Sequence, residues 1–139
     1  MPRDDLVLFE EVEASGGKRL GLITLNSPET LNSLTLSMID LISPQLDKWA
    51  EKKEIVCVII ESVGDRAFCA GASFDELMAI EDENQGKQFF SGFANVINAA
   101  RECPKFIIGR VQGKAVGGGV GMASATDYCF ATKYASIKL

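Results

Sequence analysis

Two short apolar runs, "IVCVIIE" (55–61) and "KFIIGRV" (105–111), do most to restrict what this chain can become. Both are rich in β-branched residues and show little alternation, the pattern of strands covered on both faces in a parallel sheet. Between them, "KQFFSGFANVINAARECP" places Phe89, Phe93, Val96, Ile97 and Ala100 at three- and four-residue steps, which predicts an amphipathic helix. Alternating helix and strand argue for largely parallel, buried strands. The expected class is therefore α/β.

The remaining segments fit that frame. "LVLFEEVEA" and "KRLGLITLN" read as strands joined by a hairpin at "SGGK". From Thr35, Leu36, Ile39, Ile42, Leu46 and Trp49 or Ala50 predict a helix that Pro44 should kink or split. "SVGDRAFCAGAS" reads as a loop, "FDELMAI" as a short helix and "EDENQG" as a solvated acidic connection. "YCFAT" and "ASIKL" read as the last strands. Trp49 and the Phe89, Phe90 and Phe93 cluster are expected in the core, with Cys57 and Cys129 as small core residues. With no repeat and no linker, residues 1–139 are expected to form one domain. Because "YASIKL" stops inside a strand-like run, that domain is expected to be the N-terminal part of a longer chain.

Composition narrows function by exclusion. The 139 residues carry a net charge of −5, which leaves no electrostatic footprint for nucleic acid or an anionic membrane. No apolar run reaches the about eighteen residues of a spanning helix. The acidic start "MPRDDLVLFEEVE" lacks the basic end of a signal peptide, so the expected compartment is the cytoplasm. There is no histidine, and the four cysteines form no CxxC pair, so no metal site is expected and imidazole chemistry is excluded.

The stretch "GKAVGGGVGMASATDYC" follows the second buried run and turns from strand to helix through a cluster of glycines. Such a backbone comes close to a phosphate, to a carbonyl oxygen or to another part of the protein. A dinucleotide fingerprint fails, because Met122 stands where the third glycine is needed after Gly117 and Gly119, and no P-loop lysine follows. Tight packing by Gly117 and Gly121 is the structural alternative. A second loop, "RAFCAGASFDEL", also follows a buried run and also feeds a helix. In a parallel sheet both loops lie at the same edge. One backbone N–H from each could then meet on one oxygen, the second helped by a helix N-terminus near Gly118. Each such donor contributes about 3 kcal/mol of transition-state stabilisation.

Three segments in order, "LITLNSPETLNSLT", "RAFCAGASFDEL" and "GKAVGGGVGMASATDYCFAT", resemble the crotonase superfamily, the enoyl-CoA hydratase/isomerase family. The resemblance spans nearly the whole chain. It implies a spiral of repeated β-β-α units whose C-terminal helical trimerisation region is absent here. It implies acyl-CoA thioesters as substrates, as in fatty acid metabolism, with coenzyme A part of the substrate and no separate cofactor. The amides of Ala72 and Gly118 would form the oxyanion hole. Leu31, Asn32, Ser33, Phe68, Cys69, Ala70, Gly71 and Gly117 would line the substrate path. A homotrimer or dimer of trimers is implied as the assembly.

Three departures from the family pattern bear on chemistry. Gly121 stands where some hydratases carry a first glutamate, a second glutamate would fall just past Leu139, and Ser73 replaces the usual aspartate. Within the chain, Asp127 reads as structural, Asp75 and Glu76 as helix N-terminal charges, and Cys69 as a poor nucleophile. Hydration of a 2-enoyl-CoA is the leading expectation. The alternatives are enoyl-CoA isomerisation, another reaction of the family such as thioester hydrolysis, a non-catalytic acyl-CoA-binding or assembly subunit, and a nucleotide-binding α/β domain.

Overall fold

The computed structural model describes residues 5–139. The hairpin forms as expected: β1 (Val7–Glu13) runs antiparallel to β2 (Arg19–Leu25), and Gly16 and Gly17 supply the positive φ of the turn. Helix α1 (Leu36–Ala50) is capped by Thr35, whose hydroxyl accepts from the Met38 N–H. It buries Met38, Ile39, Ile42, Leu46 and Trp49. At about 2 kcal/mol per large apolar side chain, that stripe holds the helix to the sheet. Pro44 does not split α1. It lies on the exposed face, and the Asp40 carbonyl it leaves without a donor belongs to an exposed residue that water can serve.

The expected parallel strands are present. β3 (Ile55–Ser62), β5 (Phe106–Val111) and β7 (Tyr128–Ala131) extend a five-stranded sheet of order β1-β2-β3-β5-β7. Two strands hide inside segments that read as loops: β4 (Ala67–Cys69) and β6 (Lys114–Val116). With β8 (Ser136–Lys138) they make a second sheet of order β4-β6-β8. Successive turns of the chain place one strand in each sheet and then a helix. The helices are α2 (Phe74–Met78) and α3 (Glu83–Glu102) after β4, and α4 (Gly118–Ser124) after β6. This is the β-β-α spiral.

Four local expectations change. "EDENQG" is not a loop but the start of α3: Asp82 caps it by accepting from Gln85 N–H, and Gln85 Oε1 accepts from Glu81 N–H. An acid followed three residues later by glutamine is the sequence sign of such a start. Phe90 is 60% exposed, on the outer side of α3, while Phe89 is buried. Cys129 is exposed on edge strand β7, and Cys57 is half-buried. β3 is fully covered on one face only: Val58, Ile60 and Ser62 are buried, whereas Cys57, Ile59 and Glu61 on the other face are partly buried. The apolar composition of a strand does not tell which of its faces this part of the chain can cover.

Candidate active site

The two glycine-bearing loops leave the small sheet, not the large one. β4 and β6 are parallel neighbours, pairing Ala67 with Lys114 and Cys69 with Ala115, so their following loops emerge together. Past β4 the chain makes a parallel bridge between Ala72 and Leu34. The Leu34 N–H donates to the Gly71 carbonyl at 2.7 Å, and the Ser73 N–H donates to the Leu34 carbonyl at 2.8 Å. In a parallel bridge the middle residue turns its own amide the other way. The Ala72 N–H is therefore directed off the Leu34 side, toward the edge of β4 that β6 occupies.

Gly118 arrives from that edge. Gly117 turns the chain with φ +54° and ψ −118°, a conformation only glycine adopts readily, and its N–H donates to the Lys138 carbonyl at 3.0 Å. Gly118 then opens α4. Among the described residues, the N–H groups of Ala72 and Gly118 have no hydrogen-bond acceptor. Gly71 separates them. A Cβ at that position would lie 2.8 Å from the Val116 carbonyl oxygen and 3.3 Å from the Gly118 nitrogen, and Gly71 has φ +97°. Any side chain at 71 would cover the Gly118 amide. Behind it, Gly119 presses on the Cys69 carbonyl so closely that a Cβ has no room. Packing therefore falls to Gly119, which seats α4 on β4, and not to Gly117, where a Cβ would meet nothing within 4 Å and the positive φ is what requires glycine.

The other candidate residues divide by where their side chains go. Ser33, Ala70 and Ala72 line a cleft of about 210 Å³ together with Ser73, Phe74 and Asp75. Leu31, in the left-handed region at φ 55°, lines a separate recess of about 100 Å³ beside Arg66 and Pro28. Asn32 is buried, and its amide is committed to structure. It accepts from Ser27 N–H and donates to the carbonyls of Val63 and Ala67. Phe68 and Cys69 are fully buried in the core and line neither recess, unlike the lining role expected for them. Burial pushes the Cys69 thiol up to about 11, which removes it as a nucleophile at neutral pH.

The departures from the family pattern also have local causes. Ser73 caps α2, its hydroxyl accepting from Glu76 N–H at 3.3 Å, as an aspartate would. At Gly121 a Cβ would meet Ile97 Cδ1 at 3.0 Å, a tight contact with the end of a side chain on α3. Asp127 is hydrogen-bonded as expected, but on an exposed residue. Its Oδ2 accepts from Ile107 N–H at 2.7 Å while its own N–H donates to the Ile107 carbonyl at 2.8 Å, closing the connection from β5 to β7. Among the described residues, no three His, Cys, Asp or Glu side chains converge as metal ligands.

Sequence reasoning missed one polar contact near the site. The Glu76 carboxylate accepts from the Leu36 N–H at 2.7 Å, joining α2 to the start of α1. No periodicity signals a bond between residues 40 apart.

A spiral of β-β-α turns with two open amides at the mouths of adjacent parallel strands defines a crotonase-type fold. The profile of the enoyl-CoA hydratase/isomerase family matches residues 20–138, and the chain belongs to that family. The 3-hydroxyisobutyryl-CoA hydrolase of human mitochondria is 38% identical over 81% of this chain and 30% of its own length. Its counterpart in Danio rerio is 38% identical over 91% of this chain and 32% of its own. An enoyl-CoA hydratase of Bacillus anthracis superposes with TM-score 0.84 at 27% identity, covering 93% of this chain and 49% of that one. One from Rhodobacter sphaeroides gives 0.83 at 30%, covering 96% and 39%. The chain spans about a third of the length of the curated relatives it matches.

Proposed function

We propose that the protein processes acyl-CoA thioesters, holding the thioester carbonyl oxygen between the N–H groups of Ala72 and Gly118. The single observation that supports this is the pair of unsatisfied amides across Gly71, beside a cleft with small residues on its wall. Two fixed N–H donors stabilise the oxyanion that develops during attack at, or enolisation of, a thioester. They do so without titrating, which suits a chain with no histidine.

Two reactions share that oxyanion. Hydration of a 2-enoyl-CoA is the reaction the motifs suggest first, and the solved hydratases share the fold. Hydrolysis of a 3-hydroxyacyl-CoA is favoured by the curated relatives, which reach 38% identity, and we adopt it as the leading reaction. Because Gly121 carries no carboxylate, the proton-moving acid is proposed to lie outside the described residues. No described helix is long and apolar enough to cross a membrane. The relatives are named as mitochondrial, and the cytoplasm expected from the sequence stands as our proposal beside that.

The test is to incubate the full protein separately with 3-hydroxyisobutyryl-CoA and with crotonyl-CoA. Release of free coenzyme A thiol reports hydrolysis; loss of the enoyl absorbance without thiol reports hydration. In parallel, the carbonyl stretch of bound ¹³C-labelled butyryl-CoA is recorded by difference infrared spectroscopy. We expect thiol release from the first substrate and a downshifted carbonyl band. A bound thioester with an unshifted band rules out the two-amide assignment.

A further inference from the structure

We infer that Glu76 is a positioning residue that holds the Ala72 amide in place by tying α2 to the first turn of α1; the inference rests on Ala72 being an oxyanion donor. The segment carrying Ala72 is fastened to residues 34–36 at two levels. Leu34 takes the Gly71 carbonyl and the Ser73 N–H, and Leu36 donates its N–H to Glu76 Oε1 at 2.7 Å. The Leu36 amide is one of the orphan donors at the start of α1, where Thr35 already serves Met38. A carboxylate arriving from another helix satisfies that donor and meets the favourable end of the helix dipole.

This anchor carries more weight than a surface hydrogen bond does, because α2 has little else. The helix is five residues long and buries none of them. Phe74 and Met78 are each 69% exposed. A single turn does not persist on its own in water. Among the described residues, Glu76 makes the sole side-chain hydrogen bond from α2 to another element, while Ser73 caps α2 within its own turn. Without Glu76 the loop 70–73 would be attached to a helix free to swing, and the Ala72 N–H would lose its fixed direction. Preorganised donors act because they need no reorientation as charge develops, so the loss falls on turnover and not on substrate binding.

The experiment compares Glu76→Ala and Glu76→Gln in the full protein. It measures kcat and KM on whichever thioester the wild-type protein turns over, and amide hydrogen exchange of peptides spanning 70–78. Glutamine keeps an acceptor oxygen and is expected within twofold of wild type. Alanine is expected to lower kcat about tenfold at near-constant KM, short of the 10²–10³ lost with a whole donor, and to speed exchange in that peptide. An alanine variant with wild-type kcat and wild-type exchange overturns the inference, as does a glutamine variant that falls as far as alanine. If the wild-type protein turns over no acyl-CoA thioester, the oxyanion reading fails. The exchange comparison still decides whether Glu76 anchors the loop.

Discussion

At the scale of single residues, the glycines of this chain are not equivalent, and the difference is measurable. Gly119 meets the Cys69 carbonyl, which belongs to a backbone that cannot move aside. Gly86, in α3, has only Ile80 Cγ2 at 3.6 Å, an ordinary contact. Gly119→Ala should therefore destabilise at or beyond the upper end of the ~1–3 kcal/mol usual for overpacking. Gly86→Ala should stabilise by about 0.5–1 kcal/mol through reduced unfolded-state freedom. Chemical denaturation of the two variants checks both signs, and equal destabilisation would refute the packing role given to Gly119. Gly118 is a poor place to probe the proposed oxyanion amide by substitution. Any Cβ there comes 2.7 Å from the Phe93 ring, so a loss of activity would mix sterics with the missing donor.

At the scale of elements, β1, β2 and α1 are joined by a charge cluster with a definite pH signature. Glu11 Oε2 takes the Lys52 ammonium at 2.8 Å and the Trp49 indole N–H at 3.1 Å, and Arg19 lies 3.4 Å from Oε1. The Lys52 hydrogen bond first, then that of Trp49, hold the Glu11 carboxyl below its ordinary 4.5. A depressed folded-state value stabilises above the unfolded value and is lost as pH falls through the folded one. Wild type should thus lose stability below about pH 4.5 more steeply than Glu11→Gln. The partly exposed site limits the difference at neutral pH to about 1 kcal/mol or less. Parallel denaturation curves for the two proteins across that window would remove Glu11 from the account. Elements also show where short-range signals stop. The start of α3 is written locally in Asp82 and Gln85, whereas β4 and β6, three residues each, exist because the chain crosses between two sheets there.

At the scale of the whole molecule, the large sheet is finished on one side only. Ile60, Ile107 and Val111 are buried in the core, while Phe106, Tyr128 and Phe130 are each more than half exposed. The same fold in the solved relatives belongs to chains about twice as long. The family resemblance implies a trimer or a dimer of trimers, and we expect the full protein to show a native mass three or six times its denatured mass. A monomeric native mass would end that proposal.

Much of this protein is local chemistry and could be read from residue order: the hairpin at "SGGK", the helix that Thr35 caps, the β-branched strands, the amphipathic stripe of α3, and the two small-residue loops with Ala72 and Gly118. Each depends on side-chain period, capping or glycine freedom within a few residues. The second sheet, the one-sided burial of β3, the inward turn of Asn32 and the bond from Glu76 to Leu36 are of another kind. They join positions far apart in sequence, Glu76 and Leu36 by 40 residues, and the spiral alone sets which of them meet. The two amides belong to both: sequence supplied the glycines that expose them, and the parallel pairing of β4 with β6 made them neighbours.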